Sequence, residues 1–178
     1  MITGVHPLPL GEPAPDFSLP RVADGSLLRL ADLRAHKPVV LILSSFTCNV
    51  FCGQMAALEK LHYQYCDRAE FLLVVVREAK HPIPGLEFLL LDQNPSMDVR
   101  RGLVARALAI KKLTIPAVLD TKNAQVENAY SGWPLRLVVV GTTGLFELDA
   151  PFQPPGGLDL QRVSQWLEKH LGPPMPLN

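Results

Sequence analysis

Two cysteines, Cys48 and Cys52, are the residues of this chain best suited to chemistry. They lie in VVLILSSFTCNVFCGQM, residues 39–55, where an apolar run ends in a Ser-Ser-Phe-Thr turn. This pattern predicts a buried strand, a turn with Cys48 at its end, and then a helix. The first turn of a helix presents unpaired N–H groups and the positive end of the helix dipole, and both favour a thiolate. Because the thiolate is the reacting species, we expect redox chemistry at Cys48.

The spacing of the cysteines leaves the role of Cys52 open. Residues four apart on a helix have Cβ atoms about 5–6 Å apart, whereas a disulfide needs about 3.5–4.5 Å. A Cys48–Cys52 disulfide therefore requires the first helical turn to loosen. Cys52 either resolves oxidised Cys48 or packs beneath the turn. Cys66 lies about four turns along the helix, and we expect it to be inert.

Composition excludes several classes of protein. A chain of 178 residues with 48% hydrophobic residues suits one folded domain. Lysine plus arginine equals aspartate plus glutamate, 17 each, so no nucleic-acid or membrane partner is predicted. The first residues lack a basic flank followed by a long apolar run, which predicts no signal peptide or membrane anchor. Three cysteines without a signal predict a cytoplasmic protein rather than a disulfide scaffold.

The elements that position the cysteines follow from hydrophobic patterns. A βαβ unit is predicted from the strand Val39–Ser44, the helix Phe51–Cys66 and the strand Phe71–Val76. A hairpin precedes this unit, Asp16–Pro20 with Ser26–Leu30. The later predicted elements are a helix over Ser96–Lys112 with Val99, Leu103, Ala107 and Ile110 as its buried stripe, strands over Ile115–Asp120, Leu135–Val140 and Leu145–Leu148, and a helix over Leu158–Leu171.

This order of elements predicts an α/β fold: a single thioredoxin-like domain whose mixed central sheet carries helices on both faces. An N-terminal β-hairpin extends it. We predict an extended arm over residues 1–15, the domain over residues 16–172, and a disordered tail over residues 173–178.

Several segments resemble known redoxins. LGEPAPDFSLPRVADGSLLRLADL is similar to the opening of peroxiredoxin-like redoxins, and SSFTC resembles their active-site turn. AEFLLVVVREAKHP and TIPAVLDTKNAQVENAYSGWPLRLVVVGTTG resemble the iodothyronine deiodinase family and its bacterial relatives. The resemblance covers roughly residues 10–171, and it implies a thioredoxin fold and thiol redox chemistry.

The deiodinase resemblance places Cys48 where the family has its reactive selenocysteine. The family's Glu-Ala-His segment corresponds to Glu78-Ala79-Lys80, with His81 one residue late, and a second family histidine falls near Asn94. Sulfur thus replaces selenium and neither histidine is in place. These departures favour general redox chemistry over deiodination of thyroid hormone.

The resemblance to peroxiredoxins, deiodinases and the wider thioredoxin fold implies roles for four residues near the thiolate. In peroxiredoxins a Ser or Thr three residues before the cysteine contacts the peroxide, and Ser45 stands there, with Thr47 beside the thiolate. The alternative for both hydroxyls is turn formation and helix capping. Arg136 takes the place of an arginine that lies near the reactive residue, where it would favour the thiolate. The alternative is a solvated arginine at a strand edge. Pro116 is expected to be the cis-proline that thioredoxin folds place against the active-site cysteine.

Glu78 and His81 are candidates for proton transfer near Cys48, although a histidine in a proline-rich loop is commonly just exposed. The remaining histidines show no metal-ligand spacing, and there is no glycine-rich phosphate loop. We therefore expect no bound cofactor and no metal.

The function predicted is a thiol-dependent oxidoreductase with Cys48 as nucleophile. Its substrate would be a peroxide, a disulfide or, as the less favoured choice, an iodinated aromatic. An external thiol such as a thioredoxin or glutathione would reduce it. One alternative is a copper chaperone using Cys48 and Cys52, since Cu(I) suits two thiolates; the Tyr130–Arg136 segment, however, lacks the histidine those chaperones use. Another is a silent redoxin scaffold that binds a partner protein.

Overall fold

The computed structural model of the protein describes residues 6–79, 81, 83–91, 95–153 and 157–177, and the structural statements below concern these residues. Seven strands are present: β1 (Ser18–Pro20), β2 (Leu27–Arg29), β3 (Val39–Ser44), β4 (Glu70–Val75), β5 (Ala117–Leu119), β6 (Arg136–Val140) and β7 (Phe146–Pro151). The helices are α1 (Leu30–Leu33), α2 (Asn49–Tyr65), α3 (Met97–Lys111), α4 (Gln125–Ala129) and α5 (Leu160–Leu171), with a 3₁₀ turn at Glu87–Leu90.

The central sheet has five strands in the order β5-β4-β3-β6-β7, and β1 and β2 form a separate antiparallel hairpin. β3 is parallel to β4 and antiparallel to β6. β4 is parallel to β5, and β6 is antiparallel to β7. The predicted mixed sheet and N-terminal hairpin are therefore confirmed. β3 lies in the middle, so the residues that follow it emerge at the centre of one sheet edge.

Strand alternation divides the interior into two cores. Along β6, Leu137 and Val139 pack with α2, α3 and α5, whereas Val138 and Val140 pack with the hairpin and α4. Successive side chains of a strand point to opposite faces of the sheet. Helices thus cover both faces, as predicted.

The predicted apolar face of α2 is confirmed. Phe51, Met55, Leu58, Leu61 and Tyr65 are all buried, at the three- and four-residue spacing of one helical face. Since all six residues of β3 are also buried, the segment on either side of Cys48 is held firmly by the core.

The predicted stripe of α3 is wrong in part. The Ser96 hydroxyl accepts a hydrogen bond from Val99 N, so the predicted N-terminus of this helix is confirmed. Val99 and Ile110, however, are 49% and 47% exposed, while Val104 and Ala107 are buried. The inward face includes Arg100, which donates to carbonyls at the end of β4. A charged residue on that face conceals it from a search for apolar periodicity.

The N-terminal arm lies against β7 over its described part. Gly11 N donates to Phe146 O at 2.8 Å, and Phe146 N donates to Glu12 O at 3.0 Å. The Tyr130 hydroxyl donates to Pro15 O at 2.6 Å.

The domain boundaries stay a prediction. Within the described residues, no helix combines the length and apolar character that crossing a membrane requires.

Candidate active site

Cys48 is the N-cap residue of α2 and stands directly after the turn that ends β3. Its backbone is extended, its N–H donates to Ser45 O at 3.2 Å, and its carbonyl accepts from Cys52 N at 3.0 Å. The side chain is half-buried, carries a free thiol and makes no capping hydrogen bond. The sulfur therefore lies beside the uncapped, positive end of a 17-residue helix, an environment that favours negative charge.

A hydrogen-bonded pair, Thr47 and Glu78, adjoins Cys48. Both Thr47 N and Thr47 Oγ1 donate to Glu78 Oε2, at 3.0 and 2.7 Å. Ala79 N in turn donates to Thr47 Oγ1 at 2.6 Å. Because β3 and β4 are parallel, the residues after each strand meet at the same sheet edge. The topology therefore brings Glu78 to the active-site turn across 31 residues of sequence.

Ser45 joins the same network. Its hydroxyl lies 3.1 Å from Thr47 Oγ1, and the two residues are only 1% and 4% exposed. Thr47 has one hydroxyl proton, which it gives to Glu78, so Ser45 is the donor to Thr47. The two hydroxyls thus form a chain that ends on the Glu78 carboxyl. Contact between Ser45 and an oxidant stays a prediction.

The second carboxyl oxygen of Glu78 has no hydrogen-bond partner. Glu78 Oε1 is buried and unpaired among the described residues. Burial raises the pKa of the Glu78 carboxyl above its ordinary value, against the lowering effect of the Thr47 hydrogen bonds and the charge of Arg100. Glu78 therefore holds a proton to higher pH than an exposed glutamate does. Such a group can supply or receive a proton beside the thiol.

Cys52 is half-buried one turn into α2. Its thiol donates a weak hydrogen bond to Phe46 O at 3.4 Å. Burial raises the pKa of the Cys52 thiol, Lys111 lowers it, and the neighbouring Cys48 and Glu78 add to the rise. Cys52 thus remains a thiol more readily than an exposed cysteine would. Cys66 is exposed, and all three cysteines are free.

The structure overturns the predicted position of Arg136. Its fully buried guanidinium donates to both oxygens of Asp149, at 2.7 Å each. It also donates to the carbonyls of Tyr130, Ser131 and His6. These five bonds use all five N–H groups. Arg136 shares the sheet face of Val138, opposite the face on which Cys48 packs, because side chains alternate along β6. Arg136 therefore forms a structural ion pair with Asp149 and is not the cation of the thiol site.

The cis-proline prediction for Pro116 is also wrong. Among the described residues, the cis X–Pro bond is Trp133–Pro134. Pro116 is exposed and precedes β5, the edge strand, which is two strands away from β3. Pro134 instead precedes β6, which pairs with β3, and its carbonyl lies 3.4 Å from Ser44 Oγ. A proline close to the Cys48 turn has to precede a strand that neighbours β3.

The two histidine positions receive no support. His81 is exposed, and no hydrogen bond joins it to Cys48 or Glu78 within the described part of the chain. Its part in proton transfer stays a prediction. Asn94, the expected place of a second family histidine, lies outside the described residues.

Arg100 and the cleft it lines are what the sequence did not indicate. Arg100 donates to Val75 O, Val76 O and Asp120 O, at 2.9, 2.7 and 2.6 Å. A cleft of about 800 Å³ lies at this sheet edge, with Glu78 and Arg100 among its lining residues. Leucines from the 3₁₀ turn and α3 form one wall, and the Thr121–Ala124 segment lines it as well. The available signal was an arginine at a position where helix periodicity expects an apolar residue.

Solved structures with the same architecture define the class of fold. A thiol:disulfide interchange protein from a Bacteroides species superposes with a TM-score of 0.66 at 16% identity, covering 93% of this chain and 92% of that one. An uncharacterized conserved protein from Geobacillus kaustophilus gives 0.67 at 17% identity, covering 96% and 86%. With a cysteine at the start of the helix that follows the central strand, the chain has the thioredoxin fold.

Sequence comparison then gives the family. The family model for iodothyronine deiodinase matches residues 5–171, and the chain belongs to this family. The human type II iodothyronine deiodinase is 27% identical over 160 residues, covering 84% of this chain and 58% of that protein. The thyroxine 5-deiodinase of Aquarana catesbeiana is 28% identical over 172 residues, covering 90% and 60%. The chain thus spans less than two thirds of the length of these relatives.

Proposed function

We propose that this protein is a thiol-dependent oxidoreductase in which Cys48 is the nucleophile. The observation that carries the proposal is a free, half-buried thiol at the uncapped start of α2, directly after Thr47, which donates to the carboxyl of Glu78. A helix N-terminus favours the thiolate that attacks. A carboxyl group that retains its proton can act as a general acid and protonate the leaving group.

The first step transfers electrons from Cys48 to the substrate. With a disulfide, the thiolate bonds to one sulfur, the old S–S bond breaks, and the leaving thiolate takes a proton. With a peroxide, the O–O bond breaks, Cys48 becomes a sulfenic acid, and water or an alcohol leaves. With an iodinated aromatic, the less favoured substrate, iodine passes to sulfur and the ring carbon takes a proton. Glu78 supplies this proton in each case, since Thr47 links its carboxyl to the turn that bears Cys48.

Cys52 resolves the oxidised sulfur. Its thiol loses a proton and attacks Cys48, and the second substrate thiol, water or iodide departs. The product is a Cys48–Cys52 disulfide, which needs the first turn of α2 to open. Two equivalents of external thiol, from a thioredoxin or glutathione, return both cysteines to thiols. This cycle uses no bound cofactor, and it suits a reducing cytoplasm, which stays a prediction.

The copper-chaperone alternative gains no support from the described residues. Cu(I) held by two thiolates would take a third ligand such as an imidazole. Nowhere in the described ranges do three or more His, Cys, Asp or Glu side chains converge as a metal site.

Turnover measurements on single-cysteine variants test the proposal. Hydrogen peroxide, a protein disulfide and an iodothyronine are each incubated with the protein and a thiol reductant. We expect wild-type turnover of at least one substrate, its loss in Cys48→Ser, and unchanged turnover in Cys66→Ser, the matched control with an exposed cysteine. Iodoacetamide should alkylate Cys48 faster than Cys66.

Two results would contradict the proposal. Turnover that survives in Cys48→Ser would place the chemistry elsewhere. Alkylation of Cys48 no faster than that of Cys66, with no turnover of any substrate, would instead favour a silent scaffold that binds a partner.

A further inference from the structure

Arg100 joins the ends of two strands at the edge that carries the active site. It lies in the first turns of α3 and donates two hydrogen bonds to β4, at Val75 O and just beyond it at Val76 O. A third bond runs to Asp120 O, directly after β5. Guanidinium presents several donors in a rigid plane, so one side chain can hold three carbonyls. Arg100 therefore fixes where the chain leaves β4.

Glu78 follows that exit point by two residues. One of its carboxyl oxygens is fully used by Thr47, and the other is buried without a partner among the described residues. Glu78 and Arg100 line the same cleft of about 800 Å³. A carboxyl group with one unpaired oxygen and a guanidinium that donates to three backbone carbonyls thus line one cleft.

Two other described carboxylates act on Arg100, and both have partners of their own. Glu127 is buried and pairs with Arg77 at 2.8 Å. The carboxylate of Asp120 accepts the backbone N–H groups of Thr121, Val126 and Glu127. Of these three described carboxylates, Glu78 is therefore the one that is left short of donors.

The remaining groups around Glu78 come from three elements. α2 contributes Cys52, whose thiol feels the charge of Glu78. The active-site turn contributes the Thr47 hydroxyl. The Thr121–Ala124 segment contributes Lys122 to the cleft lining, and His81 is exposed nearby in sequence. The charge of Arg100 lowers the pKa of the Glu78 carboxyl.

The geometry points to Arg100 as a positioning residue of the Cys48 site, which fixes the chain two residues before Glu78 and places a positive charge in the cleft that Glu78 lines. This inference rests on the proposed function, in which Glu78 delivers the proton. Removing the charge lets Glu78 keep its proton to higher pH. Replacing the guanidinium by an ammonium retains the charge but cannot hold three carbonyls in one plane.

Carboxyl titration by ¹³C NMR tests the inference without requiring activity. The Glu78 signal is assigned by its absence in Glu78→Gln. We expect Arg100→Gln to raise the Glu78 midpoint by about one pH unit, the lower end for loss of a nearby opposite charge. Arg100→Lys should leave the midpoint near the wild-type value. The matched control is Arg106→Gln, an exposed arginine of the same helix that stacks on Phe88, and it should cause no shift.

A reciprocal measurement on the folded wild type covers the case in which Arg100→Gln fails to fold. The ¹⁵N resonance of Arg100 Nε should titrate with the Glu78 midpoint, and this titration should vanish in Glu78→Gln. An Arg100 resonance that does not respond to pH would overturn the inference.

Turnover against pH separates this inference from the proposed function. We expect Arg100→Gln to shift the limb of the pH–rate profile that is assigned to Glu78 by the same amount as the NMR midpoint. In the Glu78→Gln background, Arg100→Gln should leave the pH–rate profile unchanged. If Arg100→Gln turns over substrate and its Glu78 titration midpoint is unchanged, the inferred role of Arg100 is wrong and the proposed function stands. A shifted midpoint in a protein without turnover supports the Arg100–Glu78 coupling and defeats the function.

Discussion

Replacing Arg136 by methionine should destabilise the fold strongly and leave Cys48 reactivity unchanged. Methionine fills a similar apolar volume but supplies none of the five hydrogen bonds. Asp149, 7% exposed, would lose its cation partner and be left with one described donor, Leu8 N at 2.9 Å. Breaking a buried ion pair by removing one partner costs about 3–5 kcal/mol. That is a large part of the roughly 5–15 kcal/mol by which a domain is stable.

Urea unfolding at pH 7 measures this loss, and a second variant isolates its cause. Arg136→Met with Asp149→Leu replaces both charges by apolar groups, so no buried charge is left alone. We expect this double variant to recover at least half of the loss. The control is Arg34→Met, which removes one exposed hydrogen bond to Thr142 O and should cost less than about 0.5 kcal/mol.

Cys48 reactivity distinguishes this structural role from a catalytic one. Because Arg136 and Cys48 lie on opposite faces of the sheet, the rate of Cys48 alkylation in folded Arg136→Met should match the wild-type rate. A tenfold slower alkylation would show that the arginine acts on the thiolate. A stability loss below about 1 kcal/mol would refute the reasoning from burial.

Three further outcomes are expected from the site. Thr47→Val removes hydrogen bonds around a buried carboxyl and should cost about 2–4 kcal/mol in urea unfolding; equal stability of Thr47→Val and Thr47→Ser would contradict the network. Oxidation with mild peroxide should yield a Cys48–Cys52 disulfide, which peptide mapping detects. Finding Cys48 as sulfinic acid with Cys52 free, or Cys48 joined to Cys66, would exclude Cys52 as the resolving thiol. Since the pKa of Glu78 is raised by burial, its contribution to stability is greatest at acid pH and is lost as pH rises through the folded-state pKa. Glu78→Gln should remove this loss from the dependence of unfolding free energy on pH, and an unchanged dependence would show that the carboxyl titrates normally.

The elements around Cys48 could be predicted because their signals are local. A run of five apolar residues, 39–43, specifies β3, and apolar residues spaced three and four apart specify α2. The start of α3 at Ser96 also depends on a few adjacent residues. The helices α1 and α4, of four and five residues, were not predicted because one helical turn has no periodicity to detect.

The errors concern residues whose partners are distant in sequence. Arg136 was expected beside the thiolate, yet its carboxylate partner lies on β7, on the opposite face of the sheet. Pro116 and Pro134 both precede strands, and only the strand order shows which strand pairs with β3. The sequence does not indicate the inward position of Arg100, because a charged residue in a helix ordinarily lies on the solvent side.

The sequence by itself determined the place of Cys48 after a buried strand and at the start of a helix. Adjacent residues encode that arrangement, through hydrophobic run length and the geometry of the first helical turn. Tertiary structure alone decided which groups surround the sulfur. The parallel pairing of β3 with β4 brings Glu78 to Thr47 across 31 residues. The alternation of side chains along β6 places Arg136 on the face of the sheet opposite Cys48. Side-chain direction in a sheet depends on register, and register is set by pairing between segments that are far apart in the chain.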